Sequence, residues 1–356
     1  MDRRVRAVAG CGLIGLIFLF VQLGALSLVG PFQSAGYQAV EDPSDPTNSV
    51  VYVGAILVAT AGMLLAFRYN ADQLIRGVIV FSGAWLSLYV FRVLIPPVVT
   101  VGNVNAIAVG LAALLGIGLL VHPEWYVIDA AGTVMGAAGA GLFGISFGIL
   151  PALLLLSILA VYDAISVYGT EHMLTLASGV MDLKVPVVLV IPLSLSYSFL
   201  DATTPDPTEE DGSKGADADT NSAETTVESA DGATETDDQS DSDGEQSGEE
   251  AMDADPLDRE ALFIGLGDAV IPTVLVASAA FFAPAGIATV AGLPLPAVTA
   301  MVGTFLGLAV LLWMVLKGRA HAGLPLLNGG TIAGYVVGAT AAGIGLVEAL
   351  GLTPYL

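Results

Sequence analysis

The sequence has few charged residues, few histidines and a single cysteine. Only 13% of its 356 residues are charged, whereas 55% are hydrophobic. Soluble domains have about 25% charged residues, so this composition indicates an integral membrane protein. Cys11 alone can form neither an intrachain disulfide nor a cysteine-based metal site. His122, His172 and His321 each lie near the end of an apolar run, where histidine is usually interfacial, so we predict no metal site and no cofactor.

Basic residues are also scarce, with 11 lysines and arginines against 34 aspartates and glutamates. Residues 201–260 contain 22 of these acids and only two bases, so the acidic excess belongs to one segment. Phosphate binding needs the opposite sign of charge, which argues against a nucleic-acid partner. Because this segment has almost no large apolar residues, it cannot bury enough surface to fold and is predicted to be a long disordered loop.

Nine apolar runs approach the length of about 20 residues that a transmembrane helix needs. They are residues 7–29, 49–67, 74–95, 98–121, 127–145, 149–169, 261–283, 295–316 and 324–347. The predicted fold is therefore an all-α polytopic membrane protein, with nine transmembrane helices in a six-plus-three arrangement around the acidic loop.

The predicted organisation has four parts. Residues 1–169 form an N-terminal six-span half, and residues 261–356 form a C-terminal three-span half. Residues 201–260 are the acidic disordered loop. Residues 170–200 form an amphipathic or re-entrant, strand-like connector, because the apolar stretch within it is only 16 residues long and "VPVVLVIP" is typical of a strand.

Basic residues predict the orientation of the chain in a cell membrane, because they are enriched on the cytoplasmic side. Three of them precede the first span, two follow the second span and two follow the eighth span. These residues are Arg3, Arg4, Arg6, Arg68, Arg76, Lys317 and Arg319. With nine crossings, all of them lie inside, so the N-terminus and the acidic loop are cytoplasmic and the C-terminus is outside.

Two acids lie deep within the predicted spans, where an ionisable group is costly and is by default a functional candidate. Asp163 comes six residues before the sixth span ends, and Asp268 about seven residues after the seventh begins. At 1.5 Å per residue, both lie about 9–10 Å below the same inner boundary. Asp129 and Glu348 are instead near span ends and are expected to reach the interface.

If the sixth and seventh spans pack side by side, Asp163 and Asp268 face each other. Two adjacent carboxylates share one proton and can activate a water, as in aspartic proteases. Gly265 and Gly267 would let a helix or a substrate strand approach Asp268 closely, although ordinary membrane-helix packing also uses glycine. Pro325 suits either an exposed backbone edge that pairs with a peptide or the first turn of a helix.

Three motifs resemble the presenilin and signal peptide peptidase family of intramembrane aspartyl proteases, and the chain looks like an archaeal member. They are "YD" in the sixth span, "GLGD" in the seventh and "GLP" at the start of the ninth. The six-plus-three arrangement around a variable loop is also similar, so the resemblance covers nearly the whole chain.

The resemblance implies that Asp163 and Asp268 are the catalytic pair. It also implies a set of substrate-binding residues, namely Tyr162, Gly265, Leu266, Gly267, Leu324 and Pro325. Ala322 and Gly323 depart from the family's Pro-Ala-Leu-Pro motif, which affects the substrate-clamping edge and not the pair of aspartates. By the same resemblance, "VPVVLVIP" contributes to a small sheet that receives an unwound substrate strand.

The predicted activity is hydrolysis of peptide bonds in single-span helices or signal peptides within the lipid bilayer. A proton- or cation-coupled transporter is the alternative, because transporters also use paired intramembrane acids and broken helices. A structural scaffold with two buried aspartates is the third reading. The sequence leaves open whether the chain forms a homo-oligomer.

Overall fold

In the computed structural model, the described residues are 3–102, 104–169, 183–194, 197–200, 261–317 and 322–355. They all belong to one compact unit, which comprises residues 1–204 and 255–356. The acidic loop 201–260 and residues 170–182 lie outside the described residues. The predicted disorder of that loop therefore concerns a part of the chain that the structure does not describe.

The described residues are mostly helical. The long helices are α1 (Arg3–Ser34), α2 (Thr47–Arg68), α3 (Asp72–Leu94), α4 (Ala106–Val121), α5 (Trp125–Ser146), α6 (Ile149–Gly169), α7 (Leu266–Phe281), α8 (Leu295–Val315) and α9 (Gly323–Ala341). A short helix α10 (Leu346–Ala349) and a 3-10 turn (Thr353–Tyr355) follow. Within the described ranges, six helices are long and apolar enough to cross a membrane, whereas α4 and α7 are shorter apolar helices. The prediction of a mostly helical, multi-span membrane protein is confirmed.

The prediction of an all-α fold is wrong in detail, because the described residues also form three two-stranded antiparallel sheets. These are β1 (Thr100–Val101) with β2 (Val104–Asn105), β3 (Val188–Pro192) with β4 (Ala261–Gly265), and β5 (Thr289–Val290) with β6 (Leu293–Pro294). The first sheet replaces the start of the helix expected over 98–121. Gly102 turns the chain there with a positive φ of 63°, and the Asn105 side chain accepts a hydrogen bond from the Ala108 N–H, so α4 begins at Ala106.

The sheet of β3 and β4 also corrects the seventh predicted span, which was expected to be helical from residue 261. Residues 261–265 pair with β3 in a register that sets Val188 opposite Gly265 and Pro192 opposite Ala261. A hydrogen bond of 2.8 Å from the Leu266 N–H to the Val187 carbonyl extends the pairing. Helix α7 therefore begins at Leu266, and Asp268 lies in its first turn rather than two turns inside a helix.

Glycines bring α8 and α9 into direct backbone contact. A β-carbon added at Gly303 or Gly307 would collide with the α9 backbone, and one added at Gly330 or Gly334 would collide with the α8 backbone. Surfaces without side chains let membrane helices approach closely and gain packing contacts. This contact fixes α9, whose first turn reaches the site described below, against α8.

Helix α5 lies between α1 and α7 and also depends on small residues. A β-carbon at Gly24 of α1 would press on Ala137 of α5, and one at Gly144 of α5 would collide with Ala277 of α7. Nearer its start, α5 packs through Gly132 on the Leu189 side chain of β3. Helix α5 therefore supports both α7 and the sheet that precedes it.

Candidate active site

The first turn of α9 brings Asp163 and Asp268 into one site. The Leu324 N–H donates a hydrogen bond of 3.0 Å to Oδ2 of Asp163 on α6. At the preceding residue, a β-carbon added to Gly323 would lie 3.2 Å from Oδ2 of Asp268 on α7. The two carboxylates thus lie beside adjacent residues of the same segment.

The start of α9 suits carboxylates for a physical reason. The first N–H groups of a helix have no partner within the helix, and its dipole is positive at that end. Pro325, in the same turn, lacks an N–H where none is needed, so it acts here as a helix N-terminal proline. Asp163 is only 8% exposed and Asp268 is partly exposed, while Gly265 and Gly267 beside Asp268 are exposed, so the surface next to Asp268 is accessible.

A second polar contact joins α6 to α9 one to two helical turns away from the aspartates. The Asn328 side-chain amide donates a hydrogen bond of 2.9 Å to the Leu156 carbonyl, and both residues are fully buried. Asn328 follows Leu324 by one helical turn, and Leu156 precedes Asp163 by two turns on α6. Sequence reasoning missed Asn328, although an amide within an apolar helix, four residues after Leu324, was a usable signal.

The other residues implied by the resemblance take different positions around the aspartates. Gly265 and Gly267 are exposed, and a β-carbon at Gly265 would lie 3.6 Å from Oδ2 of Asp268. Tyr162 is 41% exposed, on a different side of α6 from its buried neighbour Asp163. Leu266 is buried instead, and its side chain packs toward α5 rather than toward the accessible surface next to Asp268.

The expectation that Asp129 reaches the membrane interface is wrong. It is 7% exposed, and its Oδ1 accepts a hydrogen bond of 2.8 Å from the Val190 N–H of β3. Its position near a span end suggested exposure, but the sheet covers that end of α5. Glu348, by contrast, is exposed.

The segment after β3 is held by polar contacts outside the spans. Oε1 of Glu124 accepts a hydrogen bond from the Ser198 hydroxyl and Oε2 accepts one from the Phe199 N–H, while Nζ of Lys184 donates to the carbonyls of Phe199 and Leu200. Burial opposes ionisation of Glu124, but these hydrogen bonds outweigh it and hold the pKa of Glu124 below its ordinary value. The far end of the sheet is therefore anchored to the start of α5.

Among the described residues, no group of three or more histidine, cysteine, aspartate or glutamate side chains could hold a metal ion. The site itself contains a pair of carboxylates near the ends of membrane helices, with accessible surface next to one of them. That arrangement defines the class of intramembrane aspartyl proteases.

Comparisons with known proteins give the family. A family model described as "Signal-peptide peptidase, presenilin aspartyl protease" matches residues 15–344, so the chain belongs to that family. No curated protein sequence matches it. Two solved structures of a "presenilin family intramembrane aspartate protease" are similar. The one in space group C222 is 29% identical with a TM-score of 0.59, covering 93% of this chain and 99% of that chain. The one in space group P2 is 29% identical with a TM-score of 0.57, covering 92% and 96%.

The chain is thus an aspartyl protease of the membrane, as the resemblance implied, and the predicted enzyme class is confirmed. Nothing in the comparisons supports the transporter alternative.

Proposed function

We propose that Asp163 and Asp268 are the catalytic residues with which this protease hydrolyses a peptide bond of a membrane-embedded helical substrate. The observation that carries the proposal is their contact with adjacent residues, Gly323 and Leu324, at the start of α9. Three helices thereby hold two acids in one site, which is the arrangement that acid–base hydrolysis needs.

The reaction follows from two carboxyl groups that hold one proton between them. The ionised member removes a proton from a water molecule, and the water attacks the carbonyl carbon of the scissile bond. The protonated member gives a hydrogen bond to the carbonyl oxygen and stabilises the charge that develops there. When the tetrahedral intermediate collapses, the carbon–nitrogen bond breaks and the amine leaves with a proton from the pair. No covalent enzyme intermediate forms.

The substrate must be extended at the scissile bond, because a helix hides its peptide groups in hydrogen bonds. We propose that the extended strand pairs with the outer edge of β4, past Gly265 and Gly267, and reaches Asp268. Leu266 contributes through its backbone position, while Leu324 and Pro325 border the site from α9 and Tyr162 borders it from α6. The exposure of the two glycines beside Asp268 supports this path.

We further propose nine membrane crossings, with the N-terminus cytoplasmic and the C-terminus outside in a cell membrane. Hydrogen bonds between residues far apart in sequence group the helix ends into two sets, and we assign these sets to the two faces of the membrane. At one end, the Gly148 N–H donates to the Pro43 carbonyl and the Tyr355 hydroxyl to the Ser44 carbonyl. At the other end, the Arg76 side chain donates to the Leu120 carbonyl, as expected for a cytoplasmic base. The substrate is then a single-span helix or signal peptide cut near its cytoplasmic end.

The test uses the full chain, purified in detergent, and a single-span peptide substrate. We expect Asp163→Asn and Asp268→Asn each to reduce cleavage by roughly a hundredfold or more. Asparagine keeps the oxygen that accepts the Leu324 N–H, so the melting temperature should change little. Glu348→Gln, which alters an exposed acid, is the control. Fragment release at the wild-type rate by either aspartate variant would overturn the assignment, and substrate-independent cation flux in liposomes that both variants abolish would favour the transporter.

A further inference from the structure

A third buried acid, Asp129, lies outside the catalytic pair. It occupies the second turn of α5, where an ionisable side chain within an apolar helix is costly to bury. Its Oδ1 accepts the Val190 N–H, and its Oδ2 is buried without a hydrogen-bond partner among the described residues. A residue with this burial cost must contribute through its one contact, which is with β3.

The direction of the Val190 N–H shows which edge of β3 faces Asp129 and which edge faces β4. The Val190 N–H points toward Asp129 and therefore away from β4. Alternate residues of an antiparallel strand face opposite edges, so Leu189 and Ile191 face β4, consistent with the bond from the Leu266 N–H to the Val187 carbonyl. Asp129 thus covers the middle of the outer edge of β3.

The outer edge of β4, which points away from β3, has no such side-chain contact among the described residues. In the observed register, Leu262 and Ile264 face β3, so the backbone groups of Phe263 and the N–H of Gly265 point to the opposite side. No described residue forms a backbone hydrogen bond to them. The sheet therefore has one edge occupied by a side chain of α5 and one edge available for an added strand.

Displacement of β3 would be transmitted to the catalytic helix. The Leu189 side chain of β3 and the Leu266 side chain of α7 both pack on Gly132, and a β-carbon there would lie 3.1 Å and 3.7 Å from them. Strand β4 ends at Gly265, three residues before Asp268. The depth and register of the β4 edge relative to Asp268 thus depend on where α5 holds β3.

We propose that Asp129 is a positioning residue that fixes β3 through the Val190 N–H and so sets the register in which a substrate strand pairs with β4. This rests on the proposed function, because it assumes that the substrate pairs with that edge. Asp129 contacts no reacting atom. Instead, it determines which peptide bond of the substrate reaches Asp163 and Asp268, and how tightly β4 binds the substrate strand. A carboxylate or amide oxygen can accept the Val190 N–H, whereas an apolar side chain leaves that N–H buried and unpaired.

The experiment compares Asp129→Ala and Asp129→Asn with wild type in the full chain. Thr133→Ala is the matched control, because the Thr133 hydroxyl lies one turn further along α5 and donates to the Asp129 backbone carbonyl within the same helix, so its loss leaves the Asp129 carboxylate and its bond to β3 in place. Three quantities are measured: KM and kcat on the single-span peptide, fragment masses, and the affinity of a short hydroxyl-containing transition-state analogue of aspartic proteases that is too short to pair with β4.

Asp129→Ala should raise KM by roughly tenfold, as expected for an unpaired buried donor, and should release additional fragments cut at neighbouring bonds. The affinity for the short analogue should stay within about twofold, because the two aspartates are retained. Asp129→Asn should restore both KM and the single cut, with an unchanged pH profile. Amide hydrogen exchange of residues 188–192 should accelerate in Asp129→Ala alone.

Several results would overturn the proposal. Asp129→Asn with the same defect as Asp129→Ala would exclude the role of the acceptor oxygen. Asp129→Ala with wild-type KM and fragments would exclude any role in register, and equal losses of substrate and analogue binding would indicate general destabilisation. If Asp129→Ala does not fold, Asp129→Leu takes its place, because leucine also removes the acceptor oxygen but fills the space of the carboxylate, and the same outcomes apply. Failure of the proposed function is distinguishable, because it requires that the catalytic-pair variants retain cleavage while the wild-type protein is active.

Discussion

The two sides of α9 are held in different ways. Toward α8, Gly330 touches the backbone at Gly303, and no side chain separates the two helices. Toward α6, two hydrogen bonds bridge the helices, one from the Leu324 N–H to Asp163 and one from Asn328 to the Leu156 carbonyl. The α8 side is thus dominated by close backbone contact at glycines, whereas the α6 side combines apolar packing with two directional hydrogen bonds.

The two contacts restrict the movement of α9 to different degrees. Backbone contact leaves no room for movement, because any shift of α9 along α8 would force the two main chains together. Two hydrogen bonds constrain direction and distance at only two points and can lengthen without a collision. We infer that α8 is the fixed base of the site and that the contact with α6 sets the final position of Leu324 against Asp163.

The largest effect is expected on the glycine side. Gly330→Val places a branched side chain against the Gly303 carbonyl, and overpacking of this kind costs about 3 kcal/mol or more. We expect a strong fall in melting temperature or a failure to fold in detergent. Gly329→Val is the control, because Gly329 is exposed and has nothing within 4 Å of an added β-carbon. Equal destabilisation by both changes would show that valine is unfavourable at this turn of α9 in itself, and the backbone contact would not be the cause.

A smaller effect, on activity more than on stability, is expected on the polar side. Asn328→Leu keeps the branched shape, with a somewhat larger volume, but removes the hydrogen bond to the Leu156 carbonyl, which lowers stability by about 1 kcal/mol. Because the Leu324 N–H then shifts relative to Asp163, kcat should fall by roughly tenfold while KM changes little, as misplacement of a catalytic group affects the chemical step. The measurement is steady-state cleavage of the single-span peptide beside thermal melting. A proportional loss of stability and activity would contradict the division between the two sides.

The sequence predicts the membrane class correctly, and it singles out the two candidate aspartates for one physical reason. A lone carboxylate in an apolar run is costly, so Asp163 and Asp268 stand out without any knowledge of contacts. The same rule was less useful for Asp129, because its nearness to a span end suggested an aqueous interface. Its actual partner is a backbone N–H, which nearly every residue carries, 61 positions away at Val190. No side-chain pattern signals such a bond.

The strand β4 shows a second limit. "ALFIG" is apolar and continuous with the following helix, so its composition suits a helix and a buried strand equally. Its partner β3 lies across the acidic segment, and only that pairing makes residues 261–265 extended. The depth argument for Asp268 assumed a helix there, yet Asp268 and Asp163 both lie beside the first turn of α9.

The smallest effect on stability is expected for a hydrogen bond between α8 and α9. The hydroxyls of Thr304 and Thr331 are 2.7 Å apart, but each also bonds to a carbonyl of its own helix, at Ala300 and Leu327. Losing the interhelical bond therefore leaves neither hydroxyl unpaired. In a double-mutant cycle with Thr304→Val and Thr331→Val, we expect a coupling energy of about 0.6 kcal/mol, the average for such bonds between membrane helices. Unfolding in detergent measures it, and a coupling above about 2 kcal/mol would mean that this hydroxyl pair, more than the glycine contact, joins α8 to α9.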